Sequence, residues 1–138
     1  MLDYVFVYGT LRPKHLNHGV VAEFVDTSYS ATAEGLQLLA PRHNAFPYAV
    51  LRDEAITHGT LLLLTPGHQE NALIACDRLE GYSAEHDDGH YLRRTITTHA
   101  PETGSVEAWV YIAGPGVRVA AMTAIPGNDW AMARLGVL

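Results

Sequence analysis

Leu2-Asp3-Tyr4-Val5-Phe6-Val7-Tyr8-Gly9-Thr10-Leu11-Arg12-Pro13 opens the chain with β-branched, aromatic and aliphatic residues interrupted only by Asp3, and Gly9 ends the run after a strand's length. It reads as a buried first strand. Pro13 keeps Arg12 out of the α region, so residues 9–13 form a loop leaving that strand. Further on, strand-like runs at 32–39, 48–51 and 56–64, separated by 41–47 and 52–54, predict three strands joined by tight antiparallel connections. Pro66-Gly67 breaks the third. Residues 68–80 carry the one clear helical pattern, and Gly81 stands where a helix stops. Runs at 91–99 and 105–112 flank a turn at 101–104 and predict a second hairpin. Two smaller helical pieces are expected, at 17–24 with Asn17 as its cap and at 130–135. The Gly- and Pro-punctuated tail from Val117 covers either these strands or a partner.

The phase of the 68–80 helix places one residue against its type. At roughly 100° per residue, Leu79, Ala72, Cys76, Glu80 and Leu73 fall within one arc of about 120°, while Glu70, Asn71, Asp77 and Arg78 take the other side. Glu80 then points toward the core. Lost hydration and the negative end of the helix dipole both favour its protonated form, so its pKa should rise. A carboxyl group tuned in this way accepts and returns protons near neutral pH. The competing reading is a helix-end Glu whose side chain bends back to solvent. Glu85, Asp87 and Asp88 lie in a polar loop and read as solvated.

The loop after the first strand has chemistry of its own. Gly9 allows dihedrals that turn the N–H groups of Gly9, Thr10 and Leu11 into one concavity, suited to a carboxylate or an oxyanion, and Thr10 adds a hydroxyl. An ordinary strand-to-loop turn is the alternative.

Composition narrows the function classes. The chain has 138 residues, 48% hydrophobic and 17% charged, enough for a core within one domain spanning residues 1–138 and too apolar for intrinsic disorder. With 9 Lys and Arg against 15 Asp and Glu, the net charge of −6 repels a phosphate backbone, so no nucleic-acid partner is expected. A single cysteine excludes an internal disulfide, and no charged leader or apolar run of membrane-spanning length is present, so a cytoplasmic protein without membrane contact is expected. Eight histidines raise the question of a metal. His15 with His18 and His86 with His90 have helical spacing, but they stand in a proline-led loop and an Asp-rich stretch with no apolar face, so no metal site is expected. Cys76, amid the apolar arc with no basic neighbour in sequence, reads as a buried structural thiol.

Val5-Phe6-Val7-Tyr8-Gly9-Thr10-Leu11-Arg12, together with Asp77-Arg78-Leu79-Glu80-Gly81-Tyr82, resembles the γ-glutamylcyclotransferase-like family. Phe46-Pro47-Tyr48-Ala49-Val50, Tyr91-Leu92-Arg93-Arg94, Ala108-Trp109-Val110-Tyr111 and Gly127-Asn128-Asp129-Trp130 extend the resemblance in the same order over most of the chain. The resemblance implies an α+β fold, a small mixed β-barrel with a few surrounding helices, in which the first loop and the Glu-bearing helix end face one cavity. It implies an enzyme that cyclises a γ-glutamyl amide to 5-oxoproline and releases the amine, with no cofactor and a small-molecule γ-glutamyl substrate as partner. Tyr8, Gly9, Thr10 and Leu11 match the substrate-binding loop, and Glu80 matches the catalytic general acid/base. Tyr91 and Tyr111 are secondary candidates for the cavity wall, the alternative for each being a core aromatic. Because the substrate supplies its own nucleophile, no Ser/His/Asp set or activated Cys is needed. The rival reading is a non-catalytic small-ligand binding module on the same fold.

Overall fold

The computed structural model describes residues 2–43 and 45–136. Its elements run β1 (Tyr4–Val7), β2 (Val25–Ala40), β3 (Tyr48–Leu64), α1 (Gln69–Glu80), the short pair β4 (Tyr82–Ser83) and β5 (Asp88–Gly89), β6 (Tyr91–Ala100), β7 (Gly104–Ala113), β8 (Thr123–Ala124) and α2 (Trp130–Arg134). β1 pairs antiparallel with β3 and parallel with β7, through Val5 opposite Trp109; β7 pairs with β6, β6 with β2 and β2 with β3, all antiparallel. These five strands close a ring, so the fold is α+β, a small mixed β-barrel with few helices. Closure removes the free edges an open sheet would leave unpaired.

The unbroken apolar run of β1 follows from its position, because both of its faces are covered. Phe6 and Tyr8 pack inside the barrel with Ala33, Leu61 and Val110. Val5 and Val7 face outward, onto Ala72, Leu73 and Cys76 of α1. Of the apolar arc expected of α1, Ala72, Leu73 and Cys76 are buried while Leu79 stays 38% exposed, and burying a side chain such as Leu73 is worth roughly 1.5–3 kcal/mol. Gly81 ends the helix in the left-handed conformation, φ 65°, its N–H directed at the carbonyls of Asp77 and Arg78. Among the described residues, no helix is long and apolar enough to cross a membrane.

Three local expectations are corrected. The runs at 48–51 and 56–64 are one strand, β3, and residues 52–54 are not a connection. There the register with β2 shifts between Glu34 and Leu36, and Gly35 and Glu54 take φ values of 74° and 68°. The hairpin absorbs its polar residues as a bulge on a solvent-facing stretch. Residues 17–24 form two 3₁₀ turns, His18–Val20 and Ala22–Phe24, and Asn17 caps neither, because its side chain is bonded to Thr10. That bond, donated by Asn17 Nδ2–H to Thr10 Oγ1, holds the side chain toward the loop, and Oδ1 accepts no backbone N–H of the turn. The tail covers the barrel: Trp130 is 2% exposed within the barrel cluster, and its Nε1–H donates to the Ala45 carbonyl at 3.0 Å. The last two residues of that tail lie outside the described residues.

Candidate active site

Glu80 is held where three backbones meet. His90 N–H donates to the Gly81 carbonyl at 3.1 Å, and Gly114 N–H donates to the His90 carbonyl at 2.8 Å. A Cβ on Gly89 would overlap the Gly81 carbonyl, and one on Gly114 would overlap the Gly89 carbonyl. The end of α1 therefore sits directly against the start of β6 and the end of β7, and any side chain at either glycine would push it away. Reading the sequence identified Gly81 as a helix stop but missed Gly89 and Gly114, since their partners are remote in the chain.

From this seat Glu80 borders a cavity of about 240 Å³. Tyr8, Gly9, Thr10 and Leu11 form one wall with Asn17; Phe46, Pro47 and Tyr48 form another; His90, Tyr91, Tyr111 and Leu79 complete it. Glu80, Tyr8, Gly9, Thr10, Leu11, Tyr91 and Tyr111 thus line one cavity. A wider hollow of about 530 Å³, bordered by Arg12, His58, His99 and Asp129, shares none of these groups. Burial pushes the Glu80 carboxyl from an ordinary 4.5 up to about 7, with no ion pair or hydrogen bond among the described residues to offset it. Cys76 is pushed up to about 12 by burial and by the Glu80 and Asp77 charges, and stays an inert thiol.

The phenols around the cavity are structural donors. Tyr8 Oη–H donates to the Tyr111 carbonyl at 2.6 Å, Tyr91 Oη–H to the Pro47 carbonyl at 3.0 Å, and Tyr111 Oη–H to Asp77 Oδ1 at 2.6 Å. Burial raises all three well above the ordinary phenol range, so they remain protonated. Their hydroxyl hydrogens hold the cavity walls together.

Asp77 corrects the helical-wheel reading, which set it on the solvated side. It is largely buried, receiving Tyr111 and, at 2.6 Å, Arg93 Nη1. The Arg93 guanidinium lies 4.9 Å from the Trp109 ring centre and 5.4 Å from that of Tyr82. A charged helix residue is buried here because β6 and β7 bring its partners over the helix. Asp87, read as merely solvated, is exposed but paired with Arg94 and Tyr82.

The loop is braced from behind. Asn17 N–H and Nδ2–H donate to the Thr10 carbonyl and Oγ1 at 2.9 and 2.8 Å, His18 Nδ1 bonds the Leu11 carbonyl at 2.8 Å, and Arg12 Nε donates to Thr60 at 3.1 Å. The N–H groups of Gly9, Thr10 and Leu11, in contrast, have no backbone carbonyl to donate to among the described residues. Such free donors suit an anionic oxygen. One reason given for Gly9 does not hold: it is not among the residues of positive φ. Its missing Cβ instead admits Pro47, whose Cγ would lie 3.0 Å from a Cβ there. Gly9→Ala is expected to displace the 46–48 wall and weaken binding of a 5-oxoproline-like ligand several-fold with little loss of Tm, measured by calorimetry and thermal unfolding; equal affinity would overturn that role.

Among the described residues, no three His, Cys, Asp or Glu groups could hold a metal ion. His90 is engaged with the Tyr48 hydroxyl at 2.7 Å, and His15 packs 5.7 Å from the Trp130 ring.

Solved structures with this fold include YkqA from Bacillus subtilis, with a TM-score of 0.66 and 22% identity over 99% of this chain and 42% of that one. At5g39720.1 from Arabidopsis thaliana has a TM-score of 0.61 and 20% identity over 98% and 84%. A yeast γ-glutamyl cyclotransferase specific to glutathione has a TM-score of 0.57 and 12% identity over 84% and 70%. The chain thus spans less than half the length of the B. subtilis protein. No curated protein matches the sequence. A family model described as gamma-glutamyl cyclotransferase, AIG2-like, matches residues 5–132, which takes in the first-strand loop, the end of α1 and both hairpins; the chain belongs to that family.

Proposed function

We propose that the protein cyclises a γ-glutamyl amide to 5-oxoproline and a free amine, with Glu80 as the proton carrier. The observation that carries this reading is a largely buried carboxyl group, pushed up to about 7 and unpaired among the described residues, lining one cavity with three loop residues whose backbone N–H groups have no backbone acceptor there. In the reaction, the Glu80 carboxylate takes a proton from the substrate's α-ammonium and frees its lone pair. The nitrogen attacks the γ-carbonyl carbon, closing a five-membered ring, and an amide of the 9–11 loop receives a negatively charged substrate oxygen. As the intermediate collapses, the bond from that carbon to the leaving nitrogen breaks, and Glu80 returns its proton to that nitrogen. The regenerated carboxylate takes the second proton from the ring nitrogen and passes it to the amine, which departs as an ammonium. Ring closure within one molecule supplies the proximity advantage, which reaches roughly 7–11 kcal/mol for well-aligned groups. A carboxyl group near 7 suits both halves of the transfer.

The test is release of 5-oxoproline from a panel of γ-glutamyl amides, followed by chromatography. Release from at least one member is expected. Binding of the panel without release by folded protein would overturn the enzyme reading in favour of a ligand-binding module.

A further inference from the structure

A second cavity, also of about 240 Å³, shares no lining residue with the one at Glu80. It lies where the tail returns to the barrel: β8 pairs with the end of β2, and Ile125 N–H donates to the Leu38 carbonyl at 3.0 Å. Buried Ala40, Ile125 and Trp130, with Ala45 and Ala133, give it an apolar floor. Arg42, His43 and Arg134 also line it, and no Asp or Glu does among the described residues. In a chain of net charge −6, a cavity whose charged lining is entirely basic runs against the composition. The Arg134 guanidinium lies 4.7 Å from the Trp130 ring centre. Stacking occupies the face of a guanidinium and leaves its N–H edge free. Among the described residues neither Arg42 nor Arg134 has a carboxylate partner. The wider hollow at Arg12 differs, because its charges are matched: Arg12 faces Asp129 at 3.6 Å, and His99 is bonded to Glu34 and Ser105.

A cavity of this kind takes an anionic group on its basic side chains and an apolar body on its floor. A phosphate would hold charged oxygens against that floor with nothing there to solvate them. We infer that this cavity binds a small monocarboxylate with an apolar body, an aryl or branched alkyl carboxylate. Arg42 and Arg134 receive the carboxylate, and Ala40, Ile125 and Trp130 receive the body. The site is separate from the Glu80 chemistry and stands whether or not the chain cyclises γ-glutamyl amides.

The experiment titrates the protein with benzoate, benzamide and inorganic phosphate. NMR follows the Trp130 indole N–H, which donates to the Ala45 carbonyl beside the cavity. Benzoate should move this signal saturably. Benzamide, which keeps the ring and loses the charge, should bind about tenfold more weakly or worse, as should phosphate, which keeps the charge and loses the ring. Arg134→Gln and Arg42→Gln should each weaken benzoate binding about fivefold or more. Arg42 is exposed, so its variant keeps the fold even if loss of the Trp130 contact unsettles the other. Benzoate binding at the 9–11 loop alone, with the Trp130 signal unmoved, would overturn the inference. So would equal affinities for benzoate and benzamide, phosphate binding as tight as that of benzoate, or an unchanged benzoate affinity in either folded variant.

Discussion

Glu80→Gln is expected to lower 5-oxoproline release by about 10²–10⁴ while making the protein more stable at alkaline pH. The two effects have one cause. Glutamine fills the same space but carries no titrating proton, so both transfer steps lose their carrier. The pH dependence of stability follows from the raised pKa, from an ordinary 4.5 to about 7. The folded protein holds the carboxyl proton more tightly than the unfolded chain does, so this favourable contribution is complete below about 4.5 and is lost as pH rises through about 7. The shift corresponds to about 3 kcal/mol in favour of the variant at pH 8 relative to pH 4. Denaturant unfolding of both proteins at these two pH values checks the sign. In the wild type, a carbon-detected NMR titration of the free protein should place the Glu80 midpoint near neutrality, and the substrate's α-ammonium should lower it by favouring the carboxylate. Unchanged turnover in folded Glu80→Gln, or a midpoint at or below 4.5, would remove Glu80 from the mechanism.

Asp77→Ala is expected to destabilise the protein by roughly 3–5 kcal/mol, the range for breaking a buried ion pair from one side. Asp77 and Arg93 are 15% and 17% exposed at the side chain, and the loss would leave the guanidinium without its carboxylate and the Tyr111 hydroxyl without its acceptor. For a chain of this size the Tm should fall by roughly 10–17 °C. Asp77→Asn retains an oxygen for Tyr111 and should lose less. Asp87→Ala, which breaks the exposed contact with Arg94, should leave the Tm nearly unchanged. Equal effects of Asp77→Ala and Asp87→Ala would refute the anchoring role. Asp77 also bears on the site, because it ties the α1 turn before Glu80 to Arg93 of β6 and Tyr111 of β7.

What was legible in the sequence was local. The apolar run of residues 4–7, the phase of α1, its stop at Gly81 and the hairpin of β6 and β7 each follow from periods of two or 3.6 residues and from turn chemistry, which act over a few positions. The same phase turned Glu80 toward apolar surroundings, and the motif resemblance placed Tyr8–Leu11 across from it. Where the reading failed, remote partners decided. Polar residues 52–54 look like a turn until β2 supplies a register shift to absorb them. Asn17 looks like a cap until Thr10 claims its side chain. Asp77 looks solvated on its own helix, and is buried only because Arg93 and Tyr111 arrive from two strands. Gly89 and Gly114 are unremarkable in sequence and become necessary only where the backbones of Gly81, Gly89 and His90 pass within contact. The closing parallel pair of β1 with β7 belongs to the same class, joining segments about a hundred residues apart through Val5 and Trp109. Short-range periodicity thus determined β1, α1 and the hairpin of β6 and β7, and set Glu80 on the apolar side of the helical wheel. The environment that raises its pKa, and the walls of the cavity it faces, were decided by long-range contacts, because desolvation depends on every segment packed around a group and not on its neighbours in the chain.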